Sequence, residues 1–149
     1  MHDTDLHSTA KVARHPIHPM LVPFPIVCFI GTLLTDIAYW QTAEMMWANF
    51  SAWLLTAGLA LGALAAIAGL IDFLGDRGIR THRSAWIHML GNLVAWLLAL
   101  LNAFVHTRDA WTSVVPTGLI LSALVVLILL FTGWLGGSLV YRHRIGIGG

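Results

Sequence analysis

The sequence predicts an all-α integral membrane protein, an antiparallel bundle of four transmembrane helices with both termini cytoplasmic. Three observations carry this. Of 149 residues, 58% are hydrophobic and 10% charged, against roughly 45–50% and 25% in a soluble domain. The apolar residues gather into four stretches, Met20 to Trp40, Phe50 to Ile71, Ala85 to Val105 and Val114 to Tyr141, each long enough to cross about 30 Å of hydrocarbon. Once four crossings are drawn, Lys11, Arg14, Arg77, Arg80, Arg83, Arg142 and Arg144 share one side and only Arg108 takes the other; basic loops mark the cytoplasmic face. Residues 15–145 then form one domain, with a flexible cytoplasmic segment 1–14 before it and a short tail 146–149 after it.

The N-terminal segment mixes acids with bases and has no small-residue cleavage site after the first apolar run, so the first span is expected to stay in the membrane. That span opens with HPIHPMLVPFP. His15, His18, Val22 and Phe24 each precede a proline and are biased away from helical backbone, which predicts an extended or kinked entry that aims one or both histidines inward. The alternative is that the prolines simply start the helix. Cys28 is the only cysteine, which excludes an internal disulfide and a cysteine metal cluster, and it reads as a small buried hydrophobe. Asp36, one turn before the outer end, is expected to face water or pair with Arg108, with a place on a proton path as the alternative.

The second span carries Gly58, Gly62, Ala65, Ala66 and Gly69, a small-residue face that lets a neighbour approach closely. It closes with GLIDFLGDRG. Asp72 there is expected to cap the following loop, to pair with Arg77 or Arg80, or to fix the tautomer of His88 or His15. In the third span His88, Asn92, Ala95, Ala99, Asn102 and His106 recur at steps of four and three, one continuous helix face that must look into the bundle. His88 and His106 return to the same angle after about five turns, roughly 27 Å apart. The fourth span is aliphatic until Gly133, Gly136 and Gly137, where a close contact or distortion is expected. Trp40, Trp47, Trp53 and Trp111 fall near the outer boundary and Trp86 near the inner one, while Trp96 and Trp134 read as packing residues.

Of the eight histidines, topology sorts the six beyond His2 and His7. His15, His18, His82, His88 and His143 gather at the cytoplasmic end with Asp72 and Asp76, leaving His106 beside Arg108 and Asp109 at the outer end. One reading of the polar stripe is hydrogen bonding between helices. Another is a b-type haem with His88 and one of His18, His15 or His143 as axial ligands, Asn92 beside them, and Arg14, Arg83 and Arg142 placed for the propionates. A third is a transition-metal site of His15, His18, His88, His143 and Asp72. A fourth is a transport or proton-handling route through Asp36, Asn102, Asn92, His88 and Asp72. Electron transfer implies a redox partner protein, transport implies a homo-oligomer, and a scaffold needs no small ligand. A net charge of +1 excludes a nucleic-acid footprint, and no hydrolase or phosphate-loop signature is present.

At HPIHPMLVPFPI, GLIDFLGD, the His88 and Asn92 pair and GWLGGSLVYRHRIGIG, the chain resembles the bacterial membrane family known as domain of unknown function 2231. The resemblance covers nearly everything beyond the first dozen residues. The family pattern of two His-Pro pairs, an Asp closing the second helix, a His and Asn in the third, and Gly-Gly-x-Leu-Val-Tyr with a nearby His falls on His15, Pro16, His18, Pro19, Asp72, His88, Asn92, Gly136, Gly137, Leu139, Val140, Tyr141 and His143. Relatives often carry an acid after the glycine pair; Ser138 stands there in this chain, so no role for that acid carries over. The resemblance implies a four-helix inner-membrane protein, and the association of such domains with Rieske iron–sulfur domains in some relatives implies redox work.

Overall fold

The computed structural model describes residues 11–12, 15–108 and 110–143, with side chains over 17–108 and 112–139. Two strands of two residues, β1 (Lys11–Val12) and β2 (His15–Pro16), pair antiparallel. A short helix α1 (Ile17–Leu21) follows, then α2 (Pro23–Thr42), α3 (Met45–Gly75), a single turn α4 (Arg77–Thr81), α5 (Arg83–His106) and α6 (Thr117–His143). Four spans are long and apolar enough to cross a membrane: α1 with α2, α3, α5 and α6.

The prolines set the entry. His15 and Pro16 are extended, as expected from their X-Pro context, but His18 lies in α1, whose first turn accommodates Pro19. The chain restarts at Val22, and Pro23 and Pro25 occupy the first turn of α2, where a missing N–H costs nothing. The extended reading therefore holds only at His15; His18, Val22 and Phe24, which also precede prolines, take helical backbone, as expected if the prolines start the helix. α2 ends at Ala43, which adopts the left-handed conformation (φ 55°) and returns its N–H to Tyr39; two residues suffice to start α3. Asp76 caps the next turn, its Oδ1 accepting the N–H of Gly78 at 2.7 Å.

The helices close into a ring in which α3 packs on α2, α2 on α6, α6 on α5, and α5 back on α3. Many large apolar side chains face outward, although Phe29, Leu55, Val114 and Val125 are buried. Leu34, Leu64, Leu93, Leu97, Phe104, Leu127 and Phe131 are all more than half exposed, apart from Leu97 at 50%, whereas the interior uses Ala48, Ala65, Ala68, Ala95, Ala99 and a set of hydroxyl and amide side chains. Lipid is as apolar as leucine, so nothing drives large side chains inward; small ones gain contact by letting backbones approach. Trp134 follows this rule at 70% exposed, which corrects its reading as a packing residue. Trp96 does pack inward, donating its indole N–H to the Leu59 carbonyl at 3.0 Å. Cys28 is half-buried rather than fully enclosed.

The small-residue face of α3 meets three different partners. A Cβ on Gly58 would lie 2.8 Å from the Phe29 ring and 3.1 Å from Cys28; on Gly62, 3.2 Å from Trp96; on Gly69, 2.9 Å from His18. Ala66 points away, exposed. Gly58→Ala is expected to destabilise the bundle by about 1–3 kcal/mol through overpacking. Gly133→Ala, with nothing within 4 Å of its Cβ, is expected to be neutral or to stabilise by up to about 1 kcal/mol through helix propensity. Thermal unfolding of both variants in detergent measures the contrast.

Candidate functional site

Two polar clusters lie inside the bundle, one toward each end. At the end formed by α1, the C-terminus of α3 and the N-terminus of α5, His18 and His88 face one another with ring centroids 6.2 Å apart and planes at 89°. Each ring is anchored through Nδ1. His18 Nδ1 lies 2.8 Å from the Ala65 carbonyl and His88 Nδ1 2.8 Å from the Thr132 carbonyl. A carbonyl oxygen only accepts, so both Nδ1 atoms carry hydrogen, and in the neutral rings both Nε2 atoms keep their lone pairs.

Glycines make these seats. Gly69 of α3 lies against the Cε1–Nδ1 edge of His18, and Gly136 of α6 lies against the same edge of His88, where a Cβ would sit 2.9 and 2.8 Å away respectively. The Thr132 carbonyl is reached from α5 because Gly91 admits the Thr132 methyl, which a Cβ would meet at 2.5 Å. Asn92 completes the cluster: its amide donates to the His88 carbonyl at 2.7 Å and lies 3.4 Å from His88 Nε2, while its oxygen accepts from the Thr132 hydroxyl at 3.2 Å.

Of the residues expected at this end, the structure therefore joins His18, His88 and Asn92. Asp72 lies on the α3 face that carries Ala65 and Gly69, three and four residues apart in turn, but the ring nitrogens of His88 meet Thr132 and Asn92 rather than Asp72. Arg83 is exposed at the start of α5. Arg14 and the side chains of His15, Arg142 and His143 lie outside the described residues. Among the described residues no three His, Cys, Asp or Glu side chains come together as a metal group.

The second cluster lies at the opposite end. Asp36 of α2 is fully buried, and its Oδ1 is 2.9 Å from Nε2 of His106, whose side chain is 1% exposed. The Ser122 hydroxyl of α6 donates to Asp36 Oδ2 at 2.5 Å and accepts from the Asn102 amide at 2.8 Å. His106 Nδ1 lies 3.0 Å from the Asn102 carbonyl and 3.1 Å from its side-chain oxygen. Gly118 opens the space for the His106 ring, 2.8 Å from where a Cβ would be. Next to Asp36 on α2, the Thr35 hydroxyl meets Ser51 of α3 at 2.7 Å. The expectation that Asp36 faces water or Arg108 is corrected: Arg108 is exposed, and a histidine already inside the bundle meets the carboxylate without drawing a guanidinium into hydrocarbon.

Sequence periodicity identified Asn92, Asn102, His88 and His106. It missed Ser122 and Thr132, single hydroxyls in an aliphatic helix; their spacing of ten residues against Asn92 and Asn102 on α5, also ten apart, was the available signal. Between the clusters lies a dry layer of Phe29, Leu55, Ala99 and Val125. Ser122→Ala leaves Asp36 short of a donor and Asn102 short of an acceptor, so it is expected to cost about 1–3 kcal/mol of stability. Ser138→Ala, whose hydroxyl among the described residues bonds only Leu135 of its own helix, is expected to change little, and chemical or thermal unfolding in detergent separates the two.

Comparison with known proteins agrees with the architecture. No curated protein and no solved structure gives a match. A family model described as "Predicted membrane protein (DUF2231)" matches residues 14–149. The four apolar spans, the His-Pro entry and the paired histidine and asparagine of α5 are thus those of a family member: this chain belongs to the DUF2231 family of predicted membrane proteins.

Proposed function

We propose that this multi-pass membrane protein is a redox module of the bacterial inner membrane that holds a b-type haem between His18 and His88 and passes electrons to a partner protein. The observation that carries the reading is the geometry of the two rings. Each Nδ1–H is fixed on a backbone carbonyl, the outer-sphere bond that ligating histidines ordinarily make, which leaves Nε2 as the donor. Two imidazoles that share one metal at about 2.0–2.1 Å per bond would have ring centroids no more than about 6.3 Å apart. The ring centroids stand 6.2 Å apart, within the reach of one shared metal.

Ligand number favours the same reading over a mixed His/Asp metal site. A tetrahedral ion needs four donors, and the described residues supply no group of three, whereas a b-type haem would need only two donors from the protein, His18 and His88. Held by His18 and His88, such a group would supply one-electron chemistry. Asn92 and Thr132 hold the His88 ring, Gly69 and Gly136 let both rings sit at helix-contact distance, and Arg83, five residues and about 7.5 Å before His88 along α5, supplies a cation for a propionate. Transport is less well supported, since the dry layer of Phe29, Leu55, Ala99 and Val125 interrupts the polar stripe midway.

The test is a visible spectrum of the detergent-purified protein expressed with added haem. A Soret band that shifts on dithionite reduction is expected, lost in His18→Ala and His88→Ala, and weakened roughly 10-fold or more in Asn92→Ala if that amide orients the ligand. No Soret band, or full occupancy in both histidine variants, rejects the reading; elemental analysis of the same sample reveals a bare metal instead. Orientation is tested separately in whole cells. Arg108→Cys is expected to react with a membrane-impermeant maleimide and Arg80→Cys to react only after lysis, with native Cys28 as the background.

A further inference from the structure

The Asp36 and His106 cluster takes no part in the histidine pair at the other end, and its hydrogen bonds can be counted atom by atom. Ser122 donates to Asp36 Oδ2, so its oxygen accepts from Asn102 Nδ2. That fixes the Asn102 amide with its oxygen toward His106. Nδ1 of His106 therefore faces two acceptors, the Asn102 carbonyl and side-chain oxygens, and must carry hydrogen. Nε2 stands 2.9 Å from Asp36 Oδ1, a hydrogen-bond distance between two atoms that, in a neutral imidazole and an ionised carboxylate, would both be acceptors. One proton is required in that contact, on either atom.

The surroundings demand the same proton. Asp36 is 0% exposed, and among the described residues neither Lys nor Arg makes an ion pair with it. The groups around it are Tyr39 on α2, whose hydroxyl donates to the Met45 sulfur, Ser51 on α3, Asn102 and His106 on α5, and Ser122 on α6. Glu44 and Arg108 are exposed at the helix ends, and Asp109 lies outside the described residues. An unneutralised carboxylate in this setting carries a large desolvation penalty. With one proton between Nε2 and Oδ1 the pair is net neutral, whether it is written as imidazolium with carboxylate or imidazole with carboxylic acid.

We propose that Asp36 and His106 form a membrane-embedded proton-binding site whose bound proton latches α2 onto α5 and α6. Without it, the Nε2 lone pair and a carboxylate oxygen oppose each other at the point where the three helices meet. The site is independent of any ligand at His18 and His88, from which the dry layer separates it.

The experiment uses the full chain in lipid nanodiscs with 15N-labelled histidine side chains at neutral pH. The expected result is one imidazole with hydrogen on both nitrogens and a through-space contact to the Asn102 side chain, or a protonated-carboxyl infrared band that Asp36→Asn removes. Asp36→Asn is expected to fold, because its amide donates to Nε2 and its oxygen accepts from Ser122. If that variant does not fold, the Asn102 contact assigns the imidazole, and infrared of the wild type with 13C-labelled aspartate assigns the band. His106 protonated at Nδ1 alone, together with no protonated carboxyl, overturns the proposal. Raising the pH until the signal disappears is expected to lower the wild-type unfolding temperature but not that of Asp36→Asn, since a proton bound only in the folded state stabilises less as it becomes scarce. A wild-type unfolding temperature that does not change as the signal is lost overturns the latch.

Discussion

A carboxylate placed among hydrocarbon side chains must be partnered inside the protein, and that constraint organises one end of this bundle. Asp36 has two oxygens and no access to water, so α5 must present His106 and α6 must present Ser122 at the same depth. Asn102 then has to stand where it can serve both, donating to Ser122 and accepting from His106. Interhelical hydrogen bonds in membranes contribute only about 0.6 kcal/mol each on average, so their sum is modest. Their effect on specificity is larger, because sliding any of the three helices by a turn strands a polar group in an apolar layer.

Close approach of backbones is the second requirement, and it follows from the same solvent. Since large aliphatic side chains are as content in lipid as in protein, the contacts that discriminate one packing from another fall to glycine and alanine. Gly69, Gly136 and Gly118 each lie against the edge of a histidine, so that the small residues do more than allow helices to touch. They set the depth at which an imidazole can enter, and thereby which backbone carbonyl its Nδ1 reaches. In this bundle a glycine on one helix and a histidine on another form a unit, repeated three times.

Much of this was legible in the sequence. The α5 stripe of His88, Asn92, Ala95, Ala99, Asn102 and His106 could be read because a polar residue in a span has few places to go, and period fixes its face. The exposure of Trp134 was not legible, since a lone aromatic in an aliphatic helix has no periodic partner to orient it. The Asp36 pairing was misassigned for a definite reason: charge complementarity pointed to Arg108, yet the relevant comparison is desolvation. A histidine already on the inward face reaches the carboxylate at no further cost, whereas a guanidinium would have to leave water. Ser122 and Thr132 escaped notice because a single hydroxyl barely changes local hydropathy; only their ten-residue spacing, matched to the two asparagines of α5, betrays them.

The layer of Phe29, Leu55, Ala99 and Val125 gives the two clusters different environments to act in. Asn92 and Asn102 are separated by ten residues, about 15 Å along the helix, and the α5 side chains between them are apolar apart from Trp96, whose N–H is held by the Leu59 carbonyl. Among the described residues no hydrogen-bonded chain joins the His18 and His88 end to Asp36 and His106. Any coupling between the ends has to pass through helix position, and α5 carries residues of both clusters while α6 supplies Thr132 to one and Ser122 to the other. These two helices, packed on each other along their length, are the elements whose relative register both clusters fix.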